Sequence, residues 1–230
     1  MSTTQSPPVN DKGVIPGMHK YCDQWCTYCH MTARCVVQRC LRAWQERHGT
    51  DRFSAFADVI AFTREVAAAE GEQTPELDAL LSPDPAVRAS VPALNDPLER
   101  LACAYASETT SFLLSSGWMP PVESPRQPSP IDVVAWYHVF TATRVTRALT
   151  SGAQAARGQA NRLTDANGTA KVALIGIDRS RTALRRLGAQ YDPAEVGRLL
   201  EMLDRLASGL EARFPAARDF MRPGLDAAVV

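Results

Sequence analysis

The sequence predicts an all-α protein, an irregular bundle of four to five principal helices preceded by a cysteine-rich, metal-binding segment. Three observations carry that expectation. Five of the six cysteines fall between Cys22 and Cys40. Three later segments open with the same helix-start signature: Asp96-Pro97-Leu98-Glu99, Ser129-Pro130-Ile131-Asp132 and Asp192-Pro193-Ala194-Glu195. No stretch alternates apolar and polar residues over a length that would make a convincing strand.

Taken in order, residues 1–17 are polar and proline-bearing and read as a disordered tail. Residues 18–40 form the cysteine segment, and residues 41–222 are assigned to one helical domain. A helix is expected from Val36 to Ala69, with a break near Gly49-Thr50. The proline-bearing stretch 70–95 reads as a linker with short helical turns.

Each of the three later signatures supplies a side-chain oxygen for an orphan amide and a proline at the first helical position. Each also has a carboxylate two residues after that proline, able to reach back to the cap. They predict helices at about 97–116, 130–157 and 193–213. A fourth is expected at 169–188, with Gly188 as its cap. The loop WMPPVESPRQPSP (118–130) is too proline-rich for helix, and residues 223–230 read as a second tail.

Composition sets limits on function. The 230 residues are 45% hydrophobic and 22% charged, as in globular proteins that bury one core. The longest apolar run, Val172–Ile177, is far short of the ~20 residues a membrane-crossing helix needs. The N-terminus has neither a basic start nor an apolar core, so a cytoplasmic, thiol-reducing location is expected. Metal ligation is then the better use of the cysteines than disulfides.

Net charge is zero but unevenly spread. Residues 51–125 hold 12 acids and 4 bases, whereas residues 126–190 hold 3 acids and 10 bases. Neutralisation of one segment by the other is the simpler reading, and an arginine-rich surface for an anionic partner is the alternative.

The cysteine pattern is His19-x2-Cys22-x3-Cys26-x2-Cys29-x5-Cys35-x4-Cys40. Thiolates are soft donors and select zinc or iron–sulfur clusters over magnesium or calcium. Three closely spaced cysteines with a fourth nearby favour iron–sulfur ligation. Zinc sites more often use two close pairs set apart by a longer insert, so zinc is the alternative.

Cys22, Cys26, Cys29 and Cys35 are the candidate ligands. Cys40 falls within the following helix and reads as packed against the core, with His19 and His30 as spare donors. Cys103, mid-helix among alanines, reads as a small buried hydrophobe. The C-x3-C-x2-C spacing also occurs in radical S-adenosylmethionine enzymes, but those need a β/α barrel and this chain offers no strands. Tyr21, Trp25 and Tyr28 could shield a cluster or anchor the segment.

A second candidate site lies among the helices. Glu108 shares a predicted apolar face with Leu98, Leu101, Tyr105 and Phe112. Arg144 and Arg147 continue an aromatic stripe on helix 130–157, where His138 shares another face with Val134 and Val145. Lys171 and Asp178 stand two turns apart on one face of helix 169–188. These five polar residues could converge between helices, although a structural network of ion pairs is the preferred reading.

Asp132 is explained by capping. No Glu-x-x-His pair for a di-iron centre, no Gly-x-Ser-x-Gly elbow and no phosphate-cradling loop occurs. Whether the chain is an enzyme is left open.

The segments HKYCDQWCTYC (19–29), DVVAWYHVF (132–140) and DANGTAKVALIGIDRS (165–180) resemble a functionally uncharacterised bacterial group of small helical proteins. That resemblance spans His19 to about Leu187 and implies no activity, ligand or catalytic residue. It implies that the cysteine segment and the central helices belong together.

Three functions are therefore weighed. The first is an iron–sulfur protein for electron transfer or redox sensing, working with a redox protein partner and no membrane. The second is a zinc-stapled module whose arginines meet nucleic acid or an acidic protein, although no aromatic-interleaved basic stripe supports it. The third is a small-molecule enzyme using the polar inter-helix residues.

Overall fold

In the computed structural model, residues 13–49, 55–74, 77–78, 96–121 and 127–226 are described. The linker prolines and parts of both expected tails lie outside them. All regular structure among the described residues is helical. Three short 3-10 turns come first, at Met18–Tyr21, Cys26–Tyr28 and Thr32–Arg34. Among the described residues six α-helices are delimited: α1 (Val36–His48), α2 (Phe56–Ala69), α3 (Pro97–Ser115), α4 (Pro130–Ala156), α5 (Asn161–Leu187) and α6 (Pro193–Arg213). None is long and apolar enough to cross a membrane.

The chain divides into two compact units. The 3-10 turns, α1, α2 and residues 221–226 form the first, and α3 to α6 with the segment up to Phe220 form the second. The division thus places α1 and α2 with the cysteine segment, where the sequence reading grouped them with the later helices.

The second unit is built from its caps and one core. Asp96 Oδ1 accepts from Leu98 N at 2.8 Å, and Asp192 Oδ1 from Ala194 N at 3.0 Å. At α4 the capping box is complete: Asp132 Oδ2 accepts from Ser129 N at 3.0 Å and from Ser129 Oγ at 2.6 Å. These satisfy amides that helix starts leave unpaired.

Neighbouring helices run antiparallel, as their contacts show. Thr146 of α4 donates to Glu99 of α3, while Trp118 beyond α3 donates to Asp132 at the start of α4. Arg147 of α4 meets Asp165 of α5, and Leu98 of α3 lies against Gly209 of α6.

The core runs through Tyr105, Phe112, Leu174, Leu184, Leu203 and Leu210, all at most 1% exposed. Small residues let α5 approach α4 closely. A Cβ added to Gly176 would lie 2.8 Å from Thr141 Oγ1 and 3.1 Å from Tyr137 Cδ1, closer than packed atoms tolerate.

Helix α5 starts eight residues before the expected Thr169. Ala166, Gly168 and Thr169 are buried, and packing carries the helix through Asn167-Gly168. Helix α3 is rotated slightly from expectation. Its buried stripe is Ala102, Tyr105, Thr109, Phe112 and Leu113. Cys103 is consequently exposed rather than buried, and Glu108 is exposed, off the apolar face expected to hold it.

The first unit is much thinner inside. Val14, Val36, Cys40 and Val66 make one small cluster, and Ile15, Met18 and Cys35 make another, with Leu225 beside it. The described ends of the two expected tails, 13–17 and 223–226, belong to this unit. Val14 and Ile15 are buried, with Ile15 N donating to Arg34 O at 3.1 Å. At the other end Arg222 pairs with Asp226 at 2.7 Å. The expected break after α1 falls at Gly49, whose φ of 86° ends the helix.

Candidate metal centre

The cysteine segment is built from turns, because nothing in it favours a longer helix. Gly17 (φ 70°) opens the first turn, and Cys22 leaves it in extended backbone. Gln24 adopts a left-handed conformation (φ 57°), rare for a non-glycine residue, between the first and second turns. Asp23 Oδ1 accepts from Trp25 N at 3.3 Å and tightens the same bend. Cys29 and Cys35 each close a turn in extended backbone, which places Cys26, Cys29 and Cys35 at successive turn boundaries.

Between Met18 and Cys35, only those two end residues are buried. Trp25 and Tyr28 meet edge to face with ring centres 4.9 Å apart, covering part of the segment.

The thiols of Cys26, Cys29 and Cys35 feel one another. Burial pushes the Cys26 thiol up, and the charges of Cys35 and Cys29 push it further. Burial also raises Cys35, with Cys29 and Glu70 adding to it against amide hydrogen bonds. The Cys26 and Cys35 thiols therefore resist ionising unless a cation lies among them. Cys29 Sγ accepts from Met31 N at 3.4 Å, an amide contact of the kind that tunes metal thiolates. Cys22 Sγ donates to the His19 carbonyl at 3.3 Å.

These thiols are neighbours rather than a closed ligand set. Among the described residues no three His, Cys, Asp or Glu side chains are gathered closely enough to hold a metal ion. His30 is exposed. Cys40 is buried in the α1–α2 cluster, where burial raises its thiol.

A residue without any signal in the sequence enters here. Glu70, at the end of α2 and the start of the expected linker, has a side chain only 8% exposed. Its Oε1 accepts from Gly17 N at 3.1 Å and lies 3.5 Å from His19 Nδ1. Beside it opens a cleft of about 570 Å³, lined among others by Val14, Lys20, Cys40, Glu65 and Glu72. Lys20 and Glu72 pair across its edge.

The five polar candidates of the helical unit have different partners, and Lys171 and Asp178 share one. Arg144 is 5% exposed and its guanidinium lies 4.9 Å from the centre of the Phe140 ring. Arg147 binds Asp165 Oδ1 at 2.7 Å, and Ser151 Oγ donates to the other Asp165 oxygen at 2.6 Å. Lys171 Nζ donates to the Arg218 carbonyl at 3.0 Å. Asp178 receives Arg218 at 2.6 Å and Arg181 at 3.3 Å.

Lys171 and Asp178 thus meet through Arg218, while Glu108 stands exposed on α3. Asp165, Ser151 and Arg218 had no motif to announce them, since their partners lie across turns. The arginine excess also finds partners locally. Arg147 and Arg181 pair with Asp165, Asp178 and Asp204, none of them in the acidic stretch 51–125. His138 is half-buried with its ring on the Ala135 carbonyl, and burial lowers its pKa.

No family model, curated protein or solved structure matches the chain.

Proposed function

We propose that the first unit carries a metal centre held by its cysteine segment, with Cys26, Cys29 and Cys35 as core thiolates and Cys22 as the fourth. The reading with most support is an iron–sulfur cluster for electron transfer or redox sensing, used with a redox protein partner in the cytoplasm. The helices of the second unit form an irregular bundle that folds independently of that chemistry.

The observation that carries this is a mismatch between order and burial. Of the eighteen residues from Met18 to Cys35, ten lie in three 3-10 turns while two side chains are fully buried, little apolar area to fix so many torsions. A cross-link must supply the difference, and four thiols lie in the same stretch. The raised Cys26 and Cys35 thiols and the amide on Cys29 both suit soft-metal ligation. The thiols must still draw together to close a ligand set.

The test is metal and acid-labile sulfide analysis of protein purified without oxygen, with its absorption spectrum. Iron with matching sulfide and visible colour is expected. One equivalent of zinc without colour would replace the redox role with a structural one. Neither metal would remove the centre altogether.

A further inference from the structure

The first unit also holds a cleft that the proposed metal centre does not use. Its volume is about 570 Å³, and it is walled by α1, by the end of α2 and by the first 3-10 turn, all within one unit. Pockets of that size take small organic molecules. Val14, Val36, Ala43 and Ala69 supply an apolar wall.

The charged lining is Lys20, Arg39, Glu65, Glu70 and Glu72, which leaves one carboxylate in excess. Glu72 is paired with Lys20, and Glu65 Oε2 with Arg47 at 2.6 Å. Glu70 differs from both. Its side chain is only 8% exposed, yet its contacts fall on one oxygen: Oε1 accepts from Gly17 N at 3.1 Å and lies 3.5 Å from His19 Nδ1. Oε2 accepts no hydrogen bond among the described residues and is not sealed from solvent. A carboxylate so far withdrawn from water gains most from a charged donor on its remaining oxygen.

We infer that this cleft binds a small organic cation, a primary ammonium on a short apolar chain. Glu70 Oε2 receives the ammonium, and Val14, Val36, Ala43 and Ala69 receive the chain. The inference does not rest on the metal-centre reading, since Cys22, Cys26, Cys29 and Cys35 are absent from the lining.

The experiment titrates the full chain, as purified, with pentylammonium chloride and follows the amide NMR signals of Gly17 and Ala69. Pentanol and pentanoate serve as neutral and anionic probes of matching length. The ammonium should shift both signals saturably and bind about 10-fold or more tighter than the alcohol, as a charge-assisted hydrogen bond does. Glu70→Gln keeps an oxygen for Gly17 N, so the Gly17 signal should stay while ammonium binding weakens by a similar factor. Ala43→Phe, which fills the cleft and leaves Glu70 in place, should abolish binding.

The inference is overturned if the alcohol binds as tightly as the ammonium, or if Glu70→Gln binds it undiminished. It is equally overturned if pentanoate is preferred, which would give the cleft to Lys20 and Arg39, or if no probe shifts these amides. Iron, zinc and sulfide content judges the metal centre separately and is indifferent to all of these outcomes.

Discussion

The two units reach order by opposite means. In the second, four helices of 19 to 27 residues enclose a continuous core, and each of α3, α4 and α6 opens on a side-chain cap with proline at its first position. In the first, two small clusters and a buried carboxylate organise the described residues. The lesson is that burial and cross-linking are interchangeable sources of order. On the proposed metal-centre reading, the cysteine segment, poor in the first, draws on the second.

The largest effect expected is therefore unequal between units. Chelation of the proposed metal, or replacement of Cys26, Cys29 and Cys35 by serine, should unfold the cysteine segment. Structural metal binding contributes on the order of 10 kcal/mol to small domains. Hydrogen exchange should show amides of residues 18–35 losing protection while those of α4 and α5 keep theirs. Equal loss across both units would erase the contrast, and so would no loss at all.

Next in size is damage to the burial side. Leu203 is fully buried in the core of the second unit. Leu203→Ala should cost about 2–5 kcal/mol from lost transfer energy plus the cavity left behind. Denaturant unfolding followed by circular dichroism reads it. A cost below about 1 kcal/mol would mean the core is looser than its packing indicates.

How far the sequence disclosed these differences follows from where the causes lie. Caps are local, so Asp96, Ser129 and Asp192 set the starts of α3, α4 and α6 directly. The start of α5 is not local. Ala160 caps nothing, and burial of Ala166 and Gly168 overrides the Asn-Gly pair.

Phase errors have a similar origin. A stripe through Leu98, Leu101, Tyr105 and Glu108 is as periodic as one through Ala102, Tyr105, Thr109 and Phe112. Only packing against the other helices chooses the second, and with it the exposure of Glu108 and Cys103. The cysteines were legible as a cluster from spacing alone. Glu70 was not, because a glutamate at a helix end is ordinary until the chain folds His19 and Gly17 onto it.

The caps themselves give the third effect. Ser129→Ala removes the hydroxyl that donates to Asp132 and accepts from its amide, and should cost about 1 kcal/mol. It should also change the response to acid. Burial raises the Asp132 carboxyl, but hydrogen bonds from Ser129 Oγ, Trp118 Nε1 and Ser129 N outweigh it and hold the pKa below its ordinary value. A depressed carboxylate stabilises the fold above its unfolded-state pKa, and that contribution is lost as pH falls through the folded value. Wild type and variant should therefore differ near neutrality and converge in strong acid. Thermal melts between about pH 2 and pH 7 read this, and a constant gap throughout would show that Asp132 plays no part.

The smallest effect separates a surface network from a ligand site. Lys171 donates to the Arg218 backbone carbonyl in an exposed contact. Arg218 is meanwhile held by Asp178 and Glu211, whose hydrogen bonds raise its pKa against the opposing effect of burial. The C-terminal turn is thus fixed to α5 and α6 by two carboxylates without help from the lysine. Lys171→Met should shift stability by no more than about 1 kcal/mol, as exposed polar contacts generally do. Asp178→Asn, which leaves Arg218 with Glu211 alone, should cost at least as much. If Lys171→Met proved the more damaging of the two, the lysine would be working on something other than the Arg218 carbonyl, and a small anionic ligand held by α5 would become the better account of this face.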